Sequence, residues 1–178
     1  MIEIIKTQAL VRDVNLRAEI HGDETVVATD ISLEFSVSNQ KLKLLDPGLL
    51  ASLYKLGPNA DSSSQESLDI EEGHLPHLRY PHLTKFPWAY EGEGYEFQLI
   101  NDSLHGDQVI SIPDCKLKRI TVELQDGGTI KLRCQVQGHP STDVIGELCD
   151  YIKAKVPVSL IPPKVDEDDG QQELADAA

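Results

Sequence analysis

Apolar and polar positions alternate along this chain in one pattern that is written twice. Val14, Leu16, Ala18 and Ile20 alternate with Asn15, Arg17 and Glu19. A polar turn, His21 to Thr25, separates them from a second alternating run through Ile31, Leu33, Phe35 and Val37. A period of two is the mark of a strand with one face buried, so the pair reads as a β-hairpin. A helix is expected from Asp46-Pro47 to about Leu56, because Asp can cap and Pro is tolerated in the first helical turn. About a hundred residues later the order returns. Ile120, Val122 and Leu124 alternate, Asp126-Gly127-Gly128 turns, and Ile130, Leu132, Cys134 and Val136 alternate again. Thr142 to Lys155 then reads as a helix with Val144, Ile145, Leu148, Cys149 and Ile152 on its apolar face. The fold class expected is α+β and strand-rich, with two β-hairpin-plus-helix repeats, Val14–Tyr54 and Leu117–Ile152, packed as one domain.

Shorter elements fill the rest. Ile4–Leu10 reads as a short strand before the first hairpin, whose unequal arms call for a bulge or a longer loop. Gln108–Ile112 reads as a separate strand. Val156–Ile161 reads as a closing strand, placed at an edge by Pro157. Between the repeats, Pro76, Pro81 and Pro87 forbid a regular helix. Six of the nine aromatic residues fall there: Tyr80, Phe86, Trp88, Tyr90, Tyr95 and Phe97. Glu93-Gly94 reads as a turn between two short strands.

Charge changes the picture once it is located. The net charge is −14 over 178 residues. Residues 166–178 carry six acids and residues 57–73 carry five, both without a base. The remainder holds 19 acids against 16 bases, or −3. The reading is one globular domain, residues 1–165, with an acidic loop at 57–73 and a disordered acidic tail at 166–178. Such a tail solubilises, or it meets a basic partner or a basic groove on its own body. No apolar run reaches the length of a membrane helix, and the start lacks a signal-peptide pattern. Three unpaired cysteines, Cys115, Cys134 and Cys149, suit a reducing compartment. A cytoplasmic protein without membrane contact is expected.

Candidate chemistry is sparse. His21-Gly22-Asp23 recurs as His105-Gly106-Asp107, and reads as two polar turns before it reads as a metal or proton-sharing pair. His74, His77 and His82 lack the tight ligand set of a structural zinc site. No metal and no cofactor are expected. There is no nucleophile elbow and no phosphate-cradling glycine loop, and the chain is expected not to be an enzyme.

The second hairpin offers more. Arg119, Thr121 and Glu123 face away from Ile120, Val122 and Leu124, and Lys131 and Arg133 share that outward face. Cations beside an aromatic-rich segment are what single-strand binders use, with charge along the backbone and rings on the bases. The expected nucleic-acid-binding residues are Arg119, Lys131, Arg133, Tyr80, Phe86 and Trp88. Against this stands the plain reading that the rings fill the core and the cations are a solvated face.

The strings Leu16 to Glu24, Asp30 to Leu33, Ser38-Asn39, Asp46 to Leu49 and Leu53-Tyr54 resemble a family of small phage and prophage proteins without an established activity. Asp114-Cys115, Gly127 to Thr129 and Ile161 to Pro163 carry the same likeness. The resemblance implies a phage setting, in which such proteins sit among genes of DNA replication and recombination. The function expected is a non-enzymatic phage binding protein of DNA metabolism, with single-stranded nucleic acid as partner. The alternative is a host or phage protein as partner, the chain inhibiting a host defence or polymerase system as an acidic mimic of nucleic acid. The oligomeric state is left open.

Overall fold

The computed structural model describes residues 2–57, 75–103 and 106–164. Nine strands are numbered in chain order: β1 Ile4–His21, β2 Glu24–Ser38, β3 Tyr54–Lys55, β4 His77–Leu78, β5 Lys85–Trp88, β6 Gly92–Ser103, β7 Gly106–Gln125, β8 Thr129–Gly138 and β9 Lys155–Ile161. Two short helices join them, α1 Leu49–Leu53 and α2 Thr142–Asp150, with a 3-10 turn at Asn39–Leu44. Six strands run in the order β7-β6-β9-β1-β2-β8, and β8 pairs again with β7, so the antiparallel sheet closes into a barrel. Closure removes the sheet edges that a flat sheet would leave unpaired. β5 lies on the flank of β7 that β6 also uses, beyond the point where β6 ends.

The predicted alternation is what fills the barrel. Ile31, Leu33 and Phe35 of β2, Ile120, Val122 and Leu124 of β7, and Ile130, Leu132, Cys134 and Val136 of β8 are all buried. Tyr95 and Phe97 of β6 join them, so these two rings belong to the core. A pocket of about 10 Å³ among Ile4, Phe35 and Leu132 admits at most one water. The barrel interior is thus filled by side chains.

Both mouths are closed by chain that follows a hairpin. At one mouth α2 runs from the end of β8 to the start of β9, with Leu148 fully buried and Val144 and Tyr151 against the core. Lys153 N donates to Val11 O, and Val11 N donates to Ala154 O, at 2.7 and 3.0 Å. At the other mouth Leu42, Leu50, Leu53 and Tyr54 are buried. The Tyr54 hydroxyl lies 2.9 and 3.0 Å from the carbonyls of Gln125 and Thr129, and it accepts from Gln125 N. That bond ties the segment to the β7–β8 turn.

Several sequence expectations need correction. The helix expected to start at Asp46 and reach Leu56 is only the five-residue α1. Asp46 instead accepts from Gly48 N in a local turn, and Tyr54 is drawn into β3, which ends the helix. Ile4–Leu10 is not a separate strand but the first half of β1. A bulge between Val11 and Asp13 keeps both halves in phase with the core. Gln108–Ile112 is likewise continuous with β7. Gly94 lies within β6 at φ +74, at a register shift, and the β5–β6 connection is at 89–91. β9 is interior, between β6 and β1. Pro157 sits one residue past the last β6 rung, Leu99 with Val158, where β1 alone flanks it. Cys149, placed on the core face of α2, is exposed, while Cys115 and Cys134 are buried and all three are free thiols. The acidic loop and tail lie, apart from Gly57, outside the described residues.

The β1–β2 hairpin outruns its neighbours. β8 joins β2 only from Thr29 onward, and β9 joins β1 only as far as Leu10. Residues 16–28 therefore project from the barrel as a two-stranded ribbon, turned by Gly22 at φ +64 and Asp23. Its core-facing side continues without a core: Leu16 is 52% exposed, Ile20 81% and Val27 45%.

Candidate nucleic-acid interface

The outward face of β7 and β8 carries the predicted cations, and barrel closure decides their fate. β2 pairs with β8 in a register that sets Glu34 directly across from Arg133. Arg133 Nε lies 2.7 Å from Glu34 Oε2, and its guanidinium also reaches Glu123 Oε2 at 3.2 Å. Lys131 lies 3.5 Å from the other oxygen of Glu123. Arg12 of β1 meets Glu34 Oε2 at 2.7 Å, so one carboxylate holds two guanidiniums. Lys118 pairs with Asp30, and Lys116 pairs with Glu91 and Glu93. Lys131 and Arg133 are therefore charge-balanced members of the barrel wall.

Glu34 is the hub of this wall. Burial pushes its carboxyl up, but hydrogen bonds and charge from Arg133 and Arg12 outweigh burial and hold it below its ordinary 4.5. A folded-state pKa below the unfolded one stabilises the fold above the unfolded value, and that stability is lost as pH falls through the folded value. We expect Glu34→Gln to reduce stability at pH 7 by about 1 kcal/mol, the range of partly exposed charge-assisted bonds. The variant should also lose part of the acid-induced fall in stability below pH 4.5, read from urea midpoints at a series of pH values.

Arg119 differs. The register between β7 and β8 shifts between Lys118 and Thr121, so Arg119 belongs to a bulge. Its φ is +54, a region that a side chain with a Cβ enters at a cost. Bulges re-aim side chains, and this one leaves Arg119 exposed. Among the described residues its side chain makes no ion pair or hydrogen bond, whereas the other four cations of β7 and β8 are all paired. A groove of about 340 Å³ opens beside it, lined by Pro87, Trp88, Tyr90, Glu91, Arg119 and Thr121 among others. That is at the small end of ligand sites, which span roughly 300–1,000 Å³. The groove lies where β5 meets β7, with Trp88 in register with Ile120.

The remaining predicted rings are elsewhere. Phe86, in register with Val122, is half-buried against the core and does not line the groove; Trp88 and Tyr90, which do line it, are half-buried against the core as well. Tyr80 is 58% exposed but does not line the groove. Tyr90, which was not proposed, does line it, its hydroxyl 2.9 Å from that of Tyr95. Of the six predicted residues, Trp88 and Arg119 line the groove, while Lys131 and Arg133 meet at Glu123 instead. Comparison with known proteins finds no matching family model, no matching curated protein and no matching solved structure. The groove must therefore be read from its own chemistry.

Other chemistry is limited. Among the described residues no three His, Cys, Asp or Glu side chains come together as a metal site would need. His77 Nδ1 lies 3.6 Å from Asp126, and His74 and His105 lie outside the described residues. Burial pushes the thiols of Cys115 and Cys134 up to about 12, so both stay protonated and unreactive at neutral pH. No helix among the described residues is long and apolar enough to cross a membrane.

Proposed function

We propose that this chain is a non-enzymatic phage binding protein that holds single-stranded nucleic acid at the Trp88–Arg119 groove, in the host cytoplasm. The observation that carries the reading is the meeting, in one groove, of the chain's only tryptophan with Arg119, the one cation of β7 and β8 that makes no ion pair or hydrogen bond among the described residues. A ring offers a stacking surface to any base, and a guanidinium takes the adjoining phosphate. The contact is local, because Lys131 and Arg133 are engaged by carboxylates of the same wall.

The test separates the two kinds of cation. Arg119→Ala should weaken binding of an oligothymidylate and lower the slope of log K against log salt by about 0.7, one single-strand phosphate contact. Arg133→Ala should leave both nearly unchanged and reduce thermal stability instead. Trp88→Ala should weaken binding by about 1–3 kcal/mol, the usual range for one base–aromatic contact. Equal losses of affinity from Arg119→Ala and Arg133→Ala would contradict the groove as the site.

A second reading, a protein partner, has its own observation. With four of five cations on β7 and β8 paired and a net charge of −14, the long-range field repels nucleic acid. Under that reading the chain presents acidity to a basic protein surface, and Trp88→Ala leaves its activity intact. We also read the two hairpins with their following segments as variants of one unit. In both, the alternating apolar residues of the second arm (Ile31, Leu33 and Phe35; Ile130, Leu132 and Cys134) turn inward, and both are followed by chain that closes a mouth.

A further inference from the structure

The free edge of the projecting β1 ribbon is complementary to itself. Leu16-Arg17-Ala18-Glu19-Ile20 reads as apolar, positive, small, negative, apolar, and the order is symmetric about Ala18 with the charge sign reversed. The β1–β2 turn is a two-residue loop closed by His21 and Glu24. Such a loop closes on a hydrogen-bonded pair, and these pairs alternate along an antiparallel ladder. Residues 15, 17, 19 and 21 therefore direct their backbone groups to β2. Leu16, Ala18 and Ile20 direct theirs to the opposite edge, where no described strand lies beside them.

We propose that a second copy of this chain adds its own β1 to this edge, antiparallel and centred on Ala18. In that register Ala18 meets Ala18, Leu16 meets Ile20, and all three rungs are of the hydrogen-bonded kind. The apolar side chains of both copies share one face, joining Leu16, Ile20 and Val27 of each ribbon into one covered patch. On the other face Arg17 of one copy lies opposite Glu19 of the other, twice, by two-fold symmetry. A slip by one residue would set apolar against charged side chains and lose the complementarity. Within the chain Arg17 pairs with Glu19 and Asp30, and Glu19 also meets Gln137 and His139, so the contact with a second copy adds to a charge network that each copy already holds. Along this edge two chains of net charge −14 can approach on matched charges. A two-fold contact of this kind is isologous and closes at two copies. The inference is independent of the nucleic-acid reading.

The measurement is sedimentation of the full chain, at concentrations on the order of 10–100 μM. A dimer is expected. Arg17→Glu and Glu19→Arg should each weaken it at least tenfold by setting like charges opposite, and the double variant Arg17→Glu/Glu19→Arg should restore it. A monomeric parent at the highest concentration, or a dimer that neither single exchange affects, overturns the proposal. Ala18→Cys gives a readout that does not depend on those exchanges. Cα atoms of a hydrogen-bonded pair are about 5.5 Å apart, within disulfide range. In a Cys149→Ser background, which removes the exposed native thiol, oxidised Ala18→Cys should run as a covalent dimer. A chain that stays monomeric on oxidation while folded excludes the Ala18 register.

Discussion

Phe97→Ala lowers the unfolding free energy by about 3–5 kcal/mol, the range for emptying an aromatic core site. Phe97 is fully buried in β6, paired with Ile112 of β7 on one side and Leu160 of β9 on the other. It stands at the junction where three strands of the closed sheet meet, so the cavity has no solvent side into which to collapse. For a chain of this size each kcal/mol moves the melting temperature by roughly 2–4 °C, and the expected drop is about 6–20 °C. Differential scanning calorimetry checks it. A drop under about 2 °C would mean that Phe97 is not a wall residue of a closed barrel.

Leu148→Ala is expected to cost about 2–5 kcal/mol, and its signature should differ. Leu148 is the one fully buried residue of α2, the segment that closes the mouth between β8 and β9. Loss of its side chain removes the main apolar contact of a nine-residue helix that is too short to persist alone. Amide exchange should therefore rise first in α2 and at the Lys153 and Val11 amides, ahead of the barrel strands. Uniform acceleration over α2 and the strands β2 and β8 would show instead that α2 folds as one unit with the barrel.

How much of this was legible in the sequence follows from which forces are local. The phases of β2, β7 and β8 were readable, because burying one face of a strand fixes every second residue. Both hairpin turns were readable from Gly22 and from Asp126-Gly127-Gly128, since tight turns need positive φ. The continuity of β1 was hidden by its own bulge: Arg12 and Asp13 break the period of two, and the run looked like two strands. The short α1 was hidden by Tyr54, whose hydroxyl contacts lie 71 and 75 residues away.

The candidate site shows the same division. The exposure of Arg119 comes from the bulge that interrupts the alternation. The outward direction of Lys131 and Arg133 was readable from that alternation. Their pairing was not, because Glu34 reaches Arg133 only through the β2–β8 seam, 99 residues distant. The signal that bore on it was Glu34 itself, an acid on the outward phase of the first hairpin, which becomes informative once β2 and β8 are neighbours. Tyr90 was passed over because its place in the groove depends on the short β5–β6 connection.

The most direct test of the groove as a single-strand site uses its own fluorophore. Trp88 is the only tryptophan in the chain, so its emission reports the groove without labelling. The full chain is titrated with an oligothymidylate of about thirty nucleotides at about 10 mM salt, where phosphate contacts are least screened. The account predicts saturable quenching, relieved by added salt, retained in Arg133→Ala and lost in Arg119→Ala. Unchanged Trp88 emission up to about 100 μM oligonucleotide, the weak limit of non-specific binding, would contradict it and leave the protein-partner reading in its place.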